Sequence, residues 1–154
     1  MRIAILGAEC TGKSTLTEAV VSRLHTASTP WVCAAEYLRD WCIQNQRTPH
    51  PTEQYAIAQA QIARVQMLSA NGTSVVADTT ALMTAIYSDL LFNDNSLYAA
   101  ALEHQHTYDL TLVTSTDLPW IADGFQRDGP AMRTAVDRTL RDVLQAQHID
   151  HSVI

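Results

Sequence analysis

A mostly parallel α/β sheet covered by helices on both faces is what the sequence predicts, on three observations. Short apolar runs alternate with longer stretches of helical periodicity along the whole chain. The first apolar run ends at a glycine that opens a Gly-rich, phosphate-type turn, "GAECTGKST", over residues 7–15. The 154 residues hold no internal repeat, low-complexity tract or linker, so one domain spanning 1–154 is expected.

The elements follow in order. Arg2–Leu6 reads as a short buried strand that stops at Gly7. From Ser14 to His25 the pattern is helical, with Leu16, Val20 and Leu24 four apart on one face. "PWVCAA", residues 30–35, is the second expected strand, and a helix follows it through Gln44. "QRTPHP" is a loop. Thr52 is expected to cap a helix over roughly Glu53–Ala70, which stops at the Asn71-Gly72 turn signal. "SVVAD", residues 74–78, is a third buried strand, followed by helical segments at about Leu82–Phe92 and Ser96–His104. "DLTLVT", residues 109–114, is a fourth strand. Beyond an Asp-, Gly- and Pro-rich loop, Pro130 suits the first turn of a last helix. Met132, Val136, Leu140, Val143 and Leu144 form its apolar stripe, and "HSVI" begins a fifth strand.

Composition narrows the function. The net charge of −6 argues against broad nucleic-acid binding, which needs a basic surface, but leaves room for a local positive pocket. No apolar run approaches the ~18–20 residues of a membrane span. "IAILG" is too short for a secretory leader. Cys10, Cys33 and Cys42 leave one cysteine unpaired in any scheme, so reduced thiols in a cytoplasmic protein are expected. The six histidines are scattered, and a structural role is expected for them.

Gly7, Gly12, Lys13 and Ser14 satisfy G-x-x-x-x-G-K-S/T, the P-loop pattern. The glycines let the backbone curl so that successive N–H groups of Gly7, Ala8, Glu9, Cys10, Thr11, Gly12, Lys13, Ser14 and Thr15 face phosphate oxygens. The following helix adds its positive dipole end. Lys13 is the only lysine; the other nine strong cations are arginines. A compact ammonium fits inside a tight loop where a planar guanidinium does not. Ser14 supplies a hydroxyl to Mg²⁺.

Three kinds of P-loop protein compete. A guanine-reading N/T-K-x-D motif needs a second lysine, and there is none. An ATPase motor needs a carboxylate pair after the third strand, whereas "VVADTT" has Asp78 followed by Thr79. A small-molecule kinase needs the cradle, ATP, Mg²⁺, a base and a basic lid. Glu36, at the end of strand two, is a candidate base, with Arg39 one helical turn on; the alternative is a helix-start carboxylate paired to Arg39. Asp78 is a candidate for the Mg²⁺ shell, or a cap for the next helix. Arg127, between Gly124 and Gly129, is the candidate lid cation. Arg133 reads as part of a solvated i,i+4 ladder with Asp137 and Arg141. Trp31 and Trp41 read as core, and Trp120, beside Pro119, as the better candidate to stack on a base.

"GAECTGKSTL", "EYLRD", "VVADTT" and "YDLTLVTSTDLPWIADG" together resemble the ribosylnicotinamide kinase domain of NadR-type proteins, from Met1 to about Val143. The resemblance implies a three-layer, kinase-type P-loop fold with strand order 2-3-1-4-5. It implies ATP-dependent phosphorylation of the ribose 5′-hydroxyl of nicotinamide riboside, giving nicotinamide mononucleotide for NAD synthesis. The adenylyltransferase and DNA-binding parts of some such proteins have no counterpart here. Glu36 and Asp78 match the family's acidic positions, and Asp123-Gly124 its "DG" before the lid arginine. Three departures stand out. Gln126 occupies the place where the family often has Arg, with Arg127 one later. Ala35 replaces an aromatic suited to stacking on nicotinamide. The family also continues beyond Ile154, which implies a truncated or unusually short chain. The expected partner is a small nucleoside. The alternatives are a kinase for another nucleoside or alcohol, and an ATP-sensing module without catalysis.

Overall fold

The computed structural model describes residues 1–26, 28–121 and 129–154. All five expected strands form: β1 (Arg2–Leu6), β2 (Trp31–Ala34), β3 (Ser74–Asp78), β4 (Leu110–Val113) and β5 (Ser152–Val153). They pair parallel in the order β2-β3-β1-β4-β5, as the resemblance implied. The connecting helices are α1 (Lys13–Leu24), α2 (Tyr37–Asn45), α3 (Gln54–Ser69), α4 (Ala81–Phe92), α5 (Tyr98–Gln105) and α6 (Pro130–Ala146).

The alternation of side chains along each strand sorts the core into two layers. Ile3, Ile5 and Val76 face one way, where Leu16, Val20 and Val21 of α1 cover them with Trp31. Ala4, Leu6 and Val113 face the other way, against Leu82, Met83 and Ile86 of α4 and Val136, Leu140 and Leu144 of α6. Val75 and Ala77 of β3 meet Val65 of α3 on that second face. Strands buried on both faces need the continuous apolar runs seen in the sequence. The chain leaves β1 toward β2 through α1 and crosses from β3 to β4 on the opposite face. The carboxyl end of β1 is therefore the switch point where such sheets bind ligands.

Three local expectations change. Pro51–Glu53 forms a 3-10 turn ahead of α3, and Thr52 lies inside it rather than at a cap. Glu53 closes that 3-10 turn: its carboxylate accepts the His50 N–H at 2.7 Å and pairs with Arg47 at 2.8 Å. Leu24 is 39% exposed. Residues four apart drift by ~40° per step on a helix of 3.6 residues per turn, so the stripe begun at Leu16 has rotated away by Leu24. Trp41 is half-buried under the Arg47 guanidinium, 4.8 Å from its ring centre, while Trp31 does lie in the core. No helix among the described residues is long and apolar enough to cross a membrane.

His104 is buried at the end of α5, edge-on to Tyr108 at 5.3 Å, and neither ring nitrogen has a hydrogen-bond partner among the described residues. Burial, helped by the Arg2 charge, pushes its pKa down to about 4. The unfolded chain takes up this proton near the ordinary value of ~6.5, while the folded chain does not. Stability should therefore fall as the pH drops from about 6.5 toward 4. Urea denaturation at pH 7 and pH 5 should show the loss, and His104→Leu should flatten that slope.

Candidate phosphate-binding site

The apolar β1 delivers the chain to the carboxyl edge of the sheet and stops at Gly7, whose φ of 145° few side chains tolerate. A Cβ at Gly7 would collide with the Thr114 hydroxyl at the end of β4. That hydroxyl lies 3.1 Å from the Leu6 carbonyl and 2.6 Å from the Thr11 hydroxyl, and Thr11 in turn donates to the Ala8 carbonyl at 2.8 Å. Cys10 and Gly12 are both left-handed, with φ of 57° and 78°, and they curl the chain into α1, which begins at Lys13. The Lys13 ammonium folds back to donate to the Ala8 carbonyl at 2.6 Å. The turn is thus a closed cradle with its lysine laid across it.

A second set of contacts ties this cradle to the segment after β4. Trp120 donates its indole N–H to Glu9 at 3.0 Å, so the tryptophan expected to stack on a base is bonded to the P-loop itself. The Cys10 thiol reaches the Ile121 carbonyl at 3.4 Å. Arg133 departs from expectation. It is 7% exposed, and its Nη2 donates to the Leu118 carbonyl at 2.8 Å and reaches the Cys10 carbonyl at 3.4 Å. Of the expected ladder only Asp137 and Arg141 pair, at 2.9 Å. Arg133 sits one turn into α6 on the side that carries Val136 and Leu140. The i,i+4 spacing suggested a solvated pair, but the burial of that side turns the arginine inward, where carbonyl oxygens take its Nη2 while its Nε has no hydrogen-bond partner among the described residues. Asp123, Gly124, Gln126 and Arg127 lie outside the described residues.

The acidic candidates meet the cradle from β2 and β3. Glu36 precedes α2, with its side chain 17% exposed. Its Oε2 is 3.2 Å from Nη2 of Arg39, and Nη1 of the same guanidinium donates to the Ser14 hydroxyl at 3.1 Å. The ion pair foreseen as the plainer reading is present, and it also spans to the P-loop. Burial pushes the Glu36 carboxyl above the usual range, against the pull of Lys13 and Arg39. Burial pushes the Lys13 ammonium down, against Glu36 and Asp78. Asp78 ends β3 with Oδ1 buried and without a hydrogen-bond partner among the described residues. It is not the cap of the next helix. Thr80 takes that role, accepting the Leu82 N–H at 3.3 Å.

Gln61 is a site residue that the sequence did not single out. It is 2% exposed on α3; its Oε1 accepts the Tyr37 N–H at 2.7 Å and its amide reaches the Thr79 carbonyl at 3.4 Å. One side chain therefore holds the residues directly after Glu36 and Asp78 at a fixed spacing. A glutamine on the mostly apolar stripe of Ile57, Ala58, Ile62 and Val65 was the signal available, and Gln54 shares that stripe. Arg64, one turn on, donates to the Ala35 carbonyl at 2.9 Å and pairs with Asp40 at 2.8 Å.

The AAA domain family matches residues 2–154. The chain belongs to that family. This AAA domain is 27% identical over 155 residues to the trifunctional NAD biosynthesis/regulator protein NadR of Salmonella typhimurium, covering 96% of this chain and 36% of that protein. It thus spans about a third of the length of that curated relative. Among solved structures it superposes on NadR in complex with NR with a TM-score of 0.74 and 20% identity, over 99% of this chain and 45% of that one. It superposes on thymidylate kinase from Ehrlichia chaffeensis with a TM-score of 0.69 and 14% identity, over 100% and 86%. These likenesses establish the kinase-like P-loop fold of the AAA domain.

Two glycines with positive φ test the cradle. Gly72 has a φ of 76° and open space around it, whereas Gly7 faces Thr114. Gly72→Ala should cost about 1 kcal/mol from backbone strain alone. Gly7→Ala should cost about 2 kcal/mol or more, because β4 must also move. Chemical denaturation of both variants checks the difference.

Proposed function

We propose that residues 1–154 act as one P-loop kinase domain that transfers the γ-phosphoryl group of ATP to the ribose 5′-hydroxyl of nicotinamide riboside. The observation that carries this reading is the convergence of Lys13, Ser14, Glu36 and Asp78 on one sheet rim, with Glu36 facing the cradle across it. Similarity to NadR over nearly the whole chain supports the choice of acceptor.

The residues suit such a transfer. Backbone N–H groups of residues 8–14 and the start of α1 hold the phosphates. The Lys13 ammonium, released from the Ala8 carbonyl, neutralises charge on the β- and γ-phosphates. Glu36 accepts the proton of the acceptor hydroxyl as its oxygen bonds to the γ-phosphorus. The bond from that phosphorus to the β–γ bridging oxygen breaks, and ADP leaves. Burial raises the proton affinity of Glu36, which favours a base over a spectator carboxylate.

Two features fit a divalent cation. Asp78 has a buried, unpartnered oxygen, and the Ser14 hydroxyl already accepts from a cationic group. Ser14 and Asp78 would hold Mg²⁺ together with the nucleotide, since no group of three His, Cys, Asp or Glu side chains among the described residues is placed to do so alone. Bound there, the ion would offset charge on the β- and γ-phosphates.

ADP release from ATP and MgCl₂ across a nucleoside panel tests the reading. Nicotinamide riboside should give the largest stimulation. Stimulation only by another acceptor would transfer the proposal to that acceptor, and tight ATP binding with no active acceptor would favour a sensor. Lys13→Ala should abolish transfer with an unchanged circular dichroism melt. Glu36→Gln should lower kcat about a hundredfold or more; a kcat equal to wild type removes the base assignment.

A further inference from the structure

We propose that Arg39 is a stand-in for the divalent cation and couples nucleotide loading to the release of Glu36, an inference that rests on the kinase reading above. One guanidinium joins the two halves of the site. Nη1 donates to the Ser14 hydroxyl at 3.1 Å, and Nη2 lies 3.2 Å from Glu36 Oε2. The first atom belongs to the phosphate side and the second to the acceptor side.

These contacts compete with a metal ion for the Ser14 hydroxyl. A cation at that oxygen would stand within a few ångströms of the guanidinium, and like charges so close repel. Arg39 therefore leaves Ser14 when the metal-loaded nucleotide arrives. It has somewhere to go, because its side chain is 49% exposed while that of Glu36 is 17% exposed. The backbone beneath it stays in place. Gln61 holds the Tyr37 N–H, and Arg64 holds the Ala35 carbonyl and occupies Asp40, the nearest other carboxylate on α2. The movement is a swing of one side chain, and it strips Glu36 of its ion pair at the moment a base is needed.

The same contacts work in reverse. An acceptor hydroxyl bonded to Glu36 competes with Arg39 and loosens its hold on Ser14. By linkage, metal-loaded nucleotide and acceptor must then each strengthen the binding of the other. Arg39 is in this sense a positioning residue whose main contribution is coupling.

Calorimetric titration of a non-hydrolysable ATP analogue into the whole chain tests this. A MgCl₂ series starting from EDTA gives the metal concentration for half-maximal tightening, and repetition with nicotinamide riboside gives the coupling factor. Arg39→Gln and Arg39→Lys should each lower the half-maximal MgCl₂ concentration about two- to fivefold, the range for a partly exposed ion pair. Each should also bring a coupling factor above one in wild type to about one. Lysine keeps the charge but cannot bridge two partners with one planar group, so it separates bridging from simple charge. Arg39→Lys behaving like wild type overturns the proposal, as does an unchanged MgCl₂ dependence in both variants. A wild-type chain that binds no nucleotide overturns the kinase reading and this inference with it. The metal series reads binding alone, so its result for Arg39 holds whether or not the acceptor is phosphorylated.

Discussion

The contact on which the rest of the site depends is between Thr114 and the empty side of Gly7. Parallel strands bring β4 alongside β1, and the Thr114 N–H donates to the Leu6 carbonyl at 2.9 Å, extending the ladder one residue past β4. Only a residue without a side chain lets the chain turn away there. Once Thr114 is seated, its hydroxyl meets Thr11, Thr11 meets Ala8, and the cradle is closed by side chains that serve backbone carbonyls. The Ala8 carbonyl also takes the Lys13 ammonium, so the loop's lysine is tied into the same closed turn. The geometry of the phosphate site is therefore a consequence of sheet register as much as of the loop.

A second constraint acts at right angles to the first. Glu36 and Asp78 come from β2 and β3, which are neighbours in the sheet, and Gln61 bonds the backbone just beyond each of them. The strands set the distance and the glutamine keeps the corners from splaying. Thr79 adopts a left-handed φ of 70°, a costly choice for a β-branched residue, and its carbonyl is one of the groups Gln61 holds. Strain of this kind is stored where function needs a fixed side chain. Here it lies between Asp78, at the end of β3, and Thr80, which caps the next helix.

Much of this was legible in the sequence because it rests on local rules. β1 and β3 have the bounds their apolar runs indicated, and Pro130 opens α6 as its fixed φ suggests. The P-loop was readable because its glycines answer to backbone geometry. What could not be read depends on contacts between segments far apart in the chain. Arg133 lies 123 residues from Cys10, and its i,i+4 spacing to Asp137 pointed the other way. Gln61 sits 24 residues from Tyr37 and looked like one polar residue in a helix. Thr52 does not cap α3 because a 3-10 turn, closed by the Glu53 carboxylate on the His50 N–H, stands ahead of the helix.

On the kinase reading proposed above, the two halves of the site differ in what specifies them. The phosphate half is built mainly of backbone, so it tolerates wide divergence, and the same sheet carries a thymidylate kinase and NadR. The acceptor half is built of side chains at the β2–α2 corner. There Ala35 is exposed, its carbonyl is taken by Arg64, and Tyr37 lies beneath the Arg64 guanidinium at 5.0 Å. An aromatic ring at position 35 would have supplied a stacking face; with alanine the corner presents instead a charged edge of Glu36, Arg39, Asp40 and Arg64. Recognition of an acceptor at such an edge would rest on hydrogen bonds to its hydroxyl groups more than on stacking of its base. Were the acceptor a nucleoside, such an edge would suit its ribose, and selection of its base would fall to residues away from the β2–α2 corner.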